Sequence, residues 1–248
     1  MSIFPWINCA AMAITTALAA QSPVTDQRVI PADLQSQFQI LPYRCLLECP
    51  ESFPTGHWKG LYFKEIWPGV KGPDAKLKAI RVKVAPCDSG AFGMLSGPKI
   101  IGGSEVDLQW VIRGLPEKQP RTKSIPTVRW MAFDTKPTIA VGELTEPLIR
   151  EGLFNGKPFK IIFRPADNHQ DAVEIQFEGK NQELGQYGGN LGEAGLGFVG
   201  DLDGDGIPDL IITMSYHYAA SEWYLFLSSK ASKNEIVKKV AHYFEPGD

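Results

Sequence analysis

Short runs in which every second side chain is apolar recur along the middle of the chain and predict β-strands. The runs cover residues 80–84, 106–112, 128–132, 159–163 and 173–177. A period of two is typical of a strand that buries one face and exposes the other. Residues 58–67, which are rich in aromatic side chains, and residues 139–144 are further strand candidates. Proline, glycine, asparagine and aspartate fall between most of the runs, as expected for turns.

The spacing of these strands predicts a mainly β fold of antiparallel sheets, arranged as a sandwich or in a barrel-like form. Further apolar runs near the C-terminus predict a four-stranded meander shaped like one propeller blade. Those runs cover residues 196–200, 210–216, 222–228 and 236–244. One blade cannot bury both of its faces alone, so we expect the meander to pack on the upstream strands.

Three segments have less regular patterns. Residues 31–34 begin with proline and predict a short helical turn. Residues 180–197 contain six glycines and predict a long loop, either a flexible connector or a loop that binds a partner. Residues 236–244 fit a strand or a helix, because Ser232 and Glu235 form a capping-box pattern just before them. We favour the strand, which completes the meander.

Composition divides the chain into a signal peptide at 1–20, a loop-rich segment with cysteines at 21–57, a β-rich region at 58–180, and a glycine-rich loop followed by the meander at 181–248. The first part carries no charge and contains an Ala-Leu-Ala cleavage site at 17–19, which predicts export to the periplasm or the medium. An uncleaved N-terminal membrane anchor is the alternative. No later segment is long and apolar enough to cross a membrane.

Export permits disulfide bonds among the cysteines that follow the predicted signal peptide. These are Cys45, Cys49 and Cys87, and their odd number leaves the pairing open. A zinc site is not expected, since no second ligand pair lies near Cys45 and Cys49 in the sequence.

The densest group of carboxylates lies at residues 201–209, here called the aspartate loop. Carboxylates this close repel one another unless a cation lies among them, and hard oxygen ligands in a flexible loop suit calcium. The predicted ligands are the side chains of Asp201, Asp203, Asp205 and Asp209 and the main-chain carbonyl of Ile207. Gly206 is expected to make the sharp turn around the ion. The alternative is an aspartate- and glycine-rich surface turn without a metal.

The spacing separates two types of calcium loop. An EF-hand needs a bidentate glutamate at its twelfth position, which here is Ile212. Residues 197–210, with the sequence GFVGDLDGDGIPDL, instead resemble an FG-GAP, or integrin-alpha-type, calcium repeat. The resemblance implies a strand on each side of the loop, a bound calcium ion and partner binding at the cell envelope. Only one copy is evident, so a full propeller of calcium repeats is not expected.

Charge and motifs narrow the function further. The 248 residues have a net charge of −3 without a basic stripe, which argues against nucleic-acid binding. The four histidines are not at metal-ligand spacings, and no nucleophile or phosphate-loop motif is present. We therefore expect an exported calcium-binding protein without enzymatic activity, serving as a structural or partner-binding module. The alternative is a secreted hydrolase that uses scattered Asp, Glu and His residues, with calcium only stabilising its fold.

Overall fold

The computed structural model of the protein describes residues 30, 32–42, 56–62, 65–67, 70–71, 76–83, 99–101, 108–116, 125–130, 139–141, 144–166, 170–188, 193–215 and 220–246. The predicted signal peptide, Cys45, Cys49 and Cys87 lie outside these ranges, as does His217. Within the ranges, no helix is long and apolar enough to cross a membrane.

Strands dominate the described residues, which confirms the mainly β prediction. In chain order the elements are α1 (Ala32–Gln37), β1 (Gln39–Pro42), β2 (Gly56–Tyr62), β3 (Glu65–Trp67), β4 (Val70–Lys71), β5 (Lys76–Lys83), β6 (Lys99–Ile101), β7 (Leu108–Arg113), β8 (Arg129–Trp130), β9 (Ile139–Val141), β10 (Leu148–Phe154), β11 (Lys157–Pro165), β12 (Gln170–Phe177), β13 (Lys180–Gly188), β14 (Glu193–Gly200), β15 (Asp209–Ser215), β16 (Ala220–Leu227) and β17 (Lys238–Pro246). A short 3-10 turn, Ser228–Lys230, follows β16.

The strands form three five-stranded antiparallel sheets and one separate hairpin, β3-β4. The first sheet has the order β1-β7-β2-β5-β6, and the second has the order β13-β12-β11-β10-β8. The third sheet has the order β17-β16-β15-β14-β9, so the predicted four-stranded meander is present and β9 is added at its edge. In the part of the chain described here, no sheet closes into a barrel.

The third sheet lies between the other two and packs on both, as expected for a meander that cannot bury its two faces alone. One core joins Phe159 and Ile161 of the second sheet to Ile212 of the third. The other core joins Leu61 and Ile112 of the first sheet to Ile211 of the third. Successive side chains of a strand point to opposite faces, so β15 contributes to both cores and is buried along its whole length.

Gly197 lies where the first and third sheets meet. The rings of Trp110 in β7 and Trp223 in β16 pack edge to face there, with centroids 4.7 Å apart. A Cβ atom at Gly197 would lie 2.9 Å from the Trp223 ring, 3.0 Å from Ile211 and 3.1 Å from the Trp110 ring. Because these distances are shorter than normal van der Waals contacts, the packing of the two sheets requires glycine at this position.

The prediction of a long loop at residues 180–197 is wrong, because β13 and most of β14 occupy that segment. β13 pairs with β12 from Lys180 opposite Phe177 to Gly188 opposite Gln170. Leu184 and Tyr187 point into the core and are fully buried. Pairing and burial therefore outweigh the weak strand preference of a glycine-rich sequence.

The remaining segments agree with the sequence in most respects. The helical turn predicted at 31–34 is confirmed by α1, and the strand favoured at 236–244 is confirmed by β17. The capping-box residues form a tight turn before β17, in which the Ser232 N–H donates to the Glu235 carboxylate at 2.9 Å. β10 was not predicted, because its sequence LIREGLF lacks the alternation of apolar and polar residues.

Candidate metal centre

The aspartate loop connects two neighbouring strands of the third sheet. β14 ends at Gly200 and β15 begins at Asp209, and these two residues are opposite each other in the antiparallel ladder. The Asp201 N–H donates to the Pro126 carbonyl at 2.9 Å, and Thr127 forms a β-bridge with Gly200. The base of the loop is therefore fixed on two sides, by the ladder and by the segment before β8.

Two glycines give the loop its sharp curvature. Gly204 has a φ of 86° and Gly206 a φ of 85°, both in the left-handed region that glycine adopts at little cost. A Cβ atom at Gly206 would meet no atom within 4 Å, so conformation and not space favours glycine there. The turn predicted at Gly206 is thus present.

Three of the predicted ligands come together at the base of the loop. One carboxylate oxygen from each of Asp201, Asp203 and Asp209 lies within 4.8 Å of the other two. Asp201 is only 6% exposed and Asp209 is fully buried. Oxygens that share a calcium ion at about 2.4 Å can be separated by at most about 4.8 Å, so this group can hold a metal ion.

The Asp209 carboxylate also joins the two ends of the loop to the turn after β16. One of its oxygens accepts hydrogen bonds from the N–H groups of Leu202 at 2.6 Å and Asp203 at 3.2 Å. The other oxygen accepts from the N–H of Ser228 at 2.7 Å and lies 2.8 Å from the Ser228 hydroxyl. These contacts hold the loop closed around the Asp209 carboxylate.

The other carboxylates turn back onto the loop itself. Asp201 accepts from the N–H groups of Gly204 at 2.5 Å and Gly206 at 3.1 Å. Asp203 accepts from the Asp205 N–H at 3.3 Å and from the Ser229 hydroxyl at 2.5 Å. The loop is therefore folded around its own acidic side chains.

Asp205 and Ile207, the other two predicted ligands, lie outside the group of three. The Asp205 carboxylate accepts from the Ile207 N–H at 2.8 Å and lies against the Ser228 hydroxyl. The Ile207 side chain packs against the core between the second and third sheets. Their roles as ligands stay predictions.

The electrostatics of the loop favour binding of a cation. Burial raises the pKa of Asp209 well above its ordinary value, and repulsion from Asp203 adds to this, although the Ser228 and Leu202 donors oppose it. Burial also raises the pKa of Asp201, against the lowering effect of its N–H donors. No lysine, arginine or histidine among the described residues forms an ion pair with the four aspartates. A cation bound here would supply the missing positive charge.

Sequence reasoning missed Ser228 and Ser229, which contact the loop from a distant part of the chain. In the ladder of β15 and β16, Leu210 is opposite Phe226. The residues just after β16 therefore lie beside the loop that precedes β15. The antiparallel pairing of the predicted runs at 210–216 and 222–228 was the signal that could have placed the two serines there.

Away from the loop, β16 and β17 carry a histidine–carboxylate pair. His242 Nε2 lies 3.4 Å from a Glu222 oxygen, to which the Tyr224 hydroxyl also donates. The rings of His242 and Tyr224 are stacked, with centroids 4.7 Å apart. Burial lowers the pKa of His242, and nearby Lys239 adds to this, although attraction to Glu222 opposes it. These contacts connect side chains across two paired strands.

The chain was compared with protein-family models, with curated proteins and with solved structures, and none of the three comparisons finds a match. The resemblance of residues 197–210 to an FG-GAP repeat therefore depends on those residues alone and stays a prediction. What the geometry establishes is a group of three aspartates, Asp201, Asp203 and Asp209, that can hold a metal ion.

Proposed function

We propose that this is an exported calcium-binding protein without enzymatic activity, which serves as a structural or partner-binding module of the cell envelope. The observation that supports this proposal is the convergence of Asp201, Asp203 and Asp209 at the buried base of a hairpin loop. Export is proposed from the uncharged N-terminal segment and its Ala-Leu-Ala site.

The donor set favours calcium over other common metals. All three converging groups are carboxylates, and hard oxygen ligands suit calcium, magnesium or manganese better than zinc or copper. Magnesium demands a near-ideal octahedron and usually keeps several water molecules, whereas calcium accepts six to eight oxygens in irregular geometry. A tightly curved loop with further oxygens at Asp205 and at the Ile207 carbonyl suits the larger, more tolerant ion.

The ion would stabilise the connection between β14 and β15, the two strands at the centre of the three-layer packing. It would neutralise carboxylates that otherwise repel one another in a partly buried site. Outside the cytoplasm, calcium at roughly millimolar concentration fills a site whose dissociation constant is about 0.1 mM or lower. An ion present at about 100 times its dissociation constant adds about 2.7 kcal/mol to the free energy of unfolding.

Calorimetric titration of the chelator-stripped protein with calcium and with magnesium tests this proposal. We expect the wild type to bind calcium more tightly than magnesium, and Asp201→Asn to lose most of the calcium affinity. Asp33→Asn, an exposed aspartate on α1, is the matched control and should bind as the wild type does. Absence of calcium binding by the wild type, or unchanged binding by Asp201→Asn, would overturn the proposal.

The pair of His242 and Glu222 is the specific observation that favours a second candidate, a secreted hydrolase with a structural calcium ion. A histidine beside a carboxylate can act as a general base. Assays of wild type and His242→Gln on chromogenic ester and glycoside substrates decide between the candidates. Turnover that His242→Gln abolishes supports the hydrolase, and no turnover by the wild type supports the non-enzymatic module.

A further inference from the structure

Ser228 is in an unusual position, because its hydroxyl faces three carboxylate oxygens at once. Its Oγ lies 3.0 Å and 2.9 Å from the two oxygens of Asp205, and 2.8 Å from one oxygen of Asp209. A serine hydroxyl has a single proton to donate. That proton cannot form full hydrogen bonds to all three oxygens, so the hydroxyl is shared between the Asp205 and Asp209 carboxylates.

The main chain holds Ser228 in this position. Its N–H donates to Asp209 at 2.7 Å, and the residue is only 6% exposed at the start of the 3-10 turn. Asp205, in contrast, is exposed, and besides this hydroxyl its carboxylate accepts only the Ile207 N–H among the described contacts. The serine is therefore the fixed partner, and the Asp205 side chain is the one that depends on it.

We infer that Ser228 is a positioning residue of the calcium site, whose hydroxyl holds the Asp205 carboxylate beside Asp209. This inference rests on the proposed function. Hydrogen bonds from outside a metal site orient its ligands, and their loss typically weakens metal affinity by about 10- to 100-fold. With a cation bound, the charge of the two carboxylates is compensated and their approach to one hydroxyl is stabilised. The site thus draws on a residue 19 positions beyond the end of the aspartate loop.

Ser228→Ala removes the hydroxyl that lies between the Asp205 and Asp209 carboxylates. The main-chain N–H groups of Leu202, Asp203 and Ser228 still hold Asp209 in this variant, since none of them depends on the removed atom. The Asp205 carboxylate, however, loses its contact with the turn.

Ser229→Ala is the matched control, because Ser229 is the neighbouring serine in the same turn. It contacts one carboxylate, that of Asp203, and it is exposed, so water can replace its hydroxyl.

The experiment is calorimetric calcium titration of the full chain as the wild type and with Ser228→Ala, Ser228→Thr, Ser229→Ala, Asp205→Asn, or Ser228→Ala and Asp205→Asn together. Each protein is also unfolded thermally in chelator. We expect Ser228→Ala to weaken calcium binding by about 10- to 100-fold. Ser229→Ala should change the affinity by less than about threefold, and Ser228→Thr, which keeps the hydroxyl, should retain most of the affinity that Ser228→Ala loses. Ser228→Ala should have little further effect on affinity when Asp205→Asn is already present, because both changes remove one interaction.

Each outcome separates this inference from the proposed function. Tight calcium binding by the wild type and equally tight binding by Ser228→Ala would overturn the role of Ser228 and leave the proposed function standing. Fully additive losses in the double variant would also overturn it, since a merely structural serine does not act through Asp205. Absence of calcium binding by the wild type would overturn both. If Ser228→Ala does not fold, the calcium affinities of Ser228→Thr and Asp205→Asn are compared instead. Since Ser228→Thr keeps the hydroxyl, a loss of affinity as large as that of Asp205→Asn would overturn the role of the hydroxyl.

Discussion

Asp209→Ala removes the buried carboxylate that joins both ends of the aspartate loop to the turn after β16. The N–H groups of Leu202 and Ser228 lose their acceptor, and both residues are buried. Each buried donor left without a partner costs about 1–3 kcal/mol, so the two together lower the free energy of unfolding by about 2–6 kcal/mol. This is a large part of the roughly 5–15 kcal/mol by which a domain is stable.

The loss from these hydrogen bonds is measured in chelator, and calcium should increase the total loss because Asp209 is also a proposed ligand. Urea unfolding in chelator and in calcium, followed by tryptophan fluorescence, measures it. Asp203→Ala is the comparison. The Asp203 carboxylate accepts from the Asp205 N–H and the Ser229 hydroxyl, which are both on exposed residues where water can replace the lost acceptor. It should lower stability in calcium, by up to about 2.7 kcal/mol at 100 times the dissociation constant, and hardly at all in chelator.

Two results would refute this reasoning. A loss below about 1 kcal/mol for Asp209→Ala in chelator would mean that the bonds from the Leu202 and Ser228 N–H groups do not stabilise the loop as we argue. Equal losses for Asp203→Ala in calcium and in chelator would mean that Asp203 stabilises the fold without a metal.

Three further predictions concern pH and packing. Burial raises the pKa of Asp201 and Asp209. Above pH 3.8 the metal-free folded protein therefore binds more protons than the unfolded chain, and its stability in chelator should fall as the pH rises through the raised pKa values of the two aspartates. Calcium binds the ionised carboxylates, so the stabilisation of the protein by calcium should grow over the same pH range. A melting temperature that depends on pH in the same way with and without calcium would contradict this. The lowered pKa of His242 should make stability fall as pH drops below 6.5, and His242→Gln should remove that part of the dependence in thermal melts. Gly197→Ala should cost about 1–3 kcal/mol in urea unfolding, because its Cβ would press on Trp223, and an unchanged midpoint would contradict the close packing.

The strands that could be predicted are those whose pattern is local. Residues 159–163 alternate because β11 buries Phe159, Ile161 and Phe163 on one face, and β15 is an apolar run because both of its faces are buried. β13 and β10 could not be predicted in this way, since glycines and charged side chains obscure the period of two. Their strand character comes from ladder partners in β12 and β11, which single-sequence periodicity does not contain.

In the candidate site, too, the local features could be predicted from the sequence and the non-local ones could not. Asp201, Asp203 and Asp209 lie in one short loop. Their spacing in the sequence is therefore enough to predict that these three carboxylates come together. The contact of Asp205 with Ser228, in contrast, exists only because the register of β15 and β16 brings Ser228 beside the loop. A pattern of ligand spacing cannot contain a hydrogen bond from a residue that only the folded sheet brings near.

Native mass spectrometry of the chelator-stripped protein, titrated with calcium, shows whether the aspartate loop binds a calcium ion. We expect one calcium ion per chain, bound at stoichiometric or low excess calcium and absent when Asp201, Asp203 and Asp209 are all changed to asparagine. A chain that remains metal-free, or that takes up several ions to the same extent with and without these three carboxylates, would contradict a calcium site in the aspartate loop.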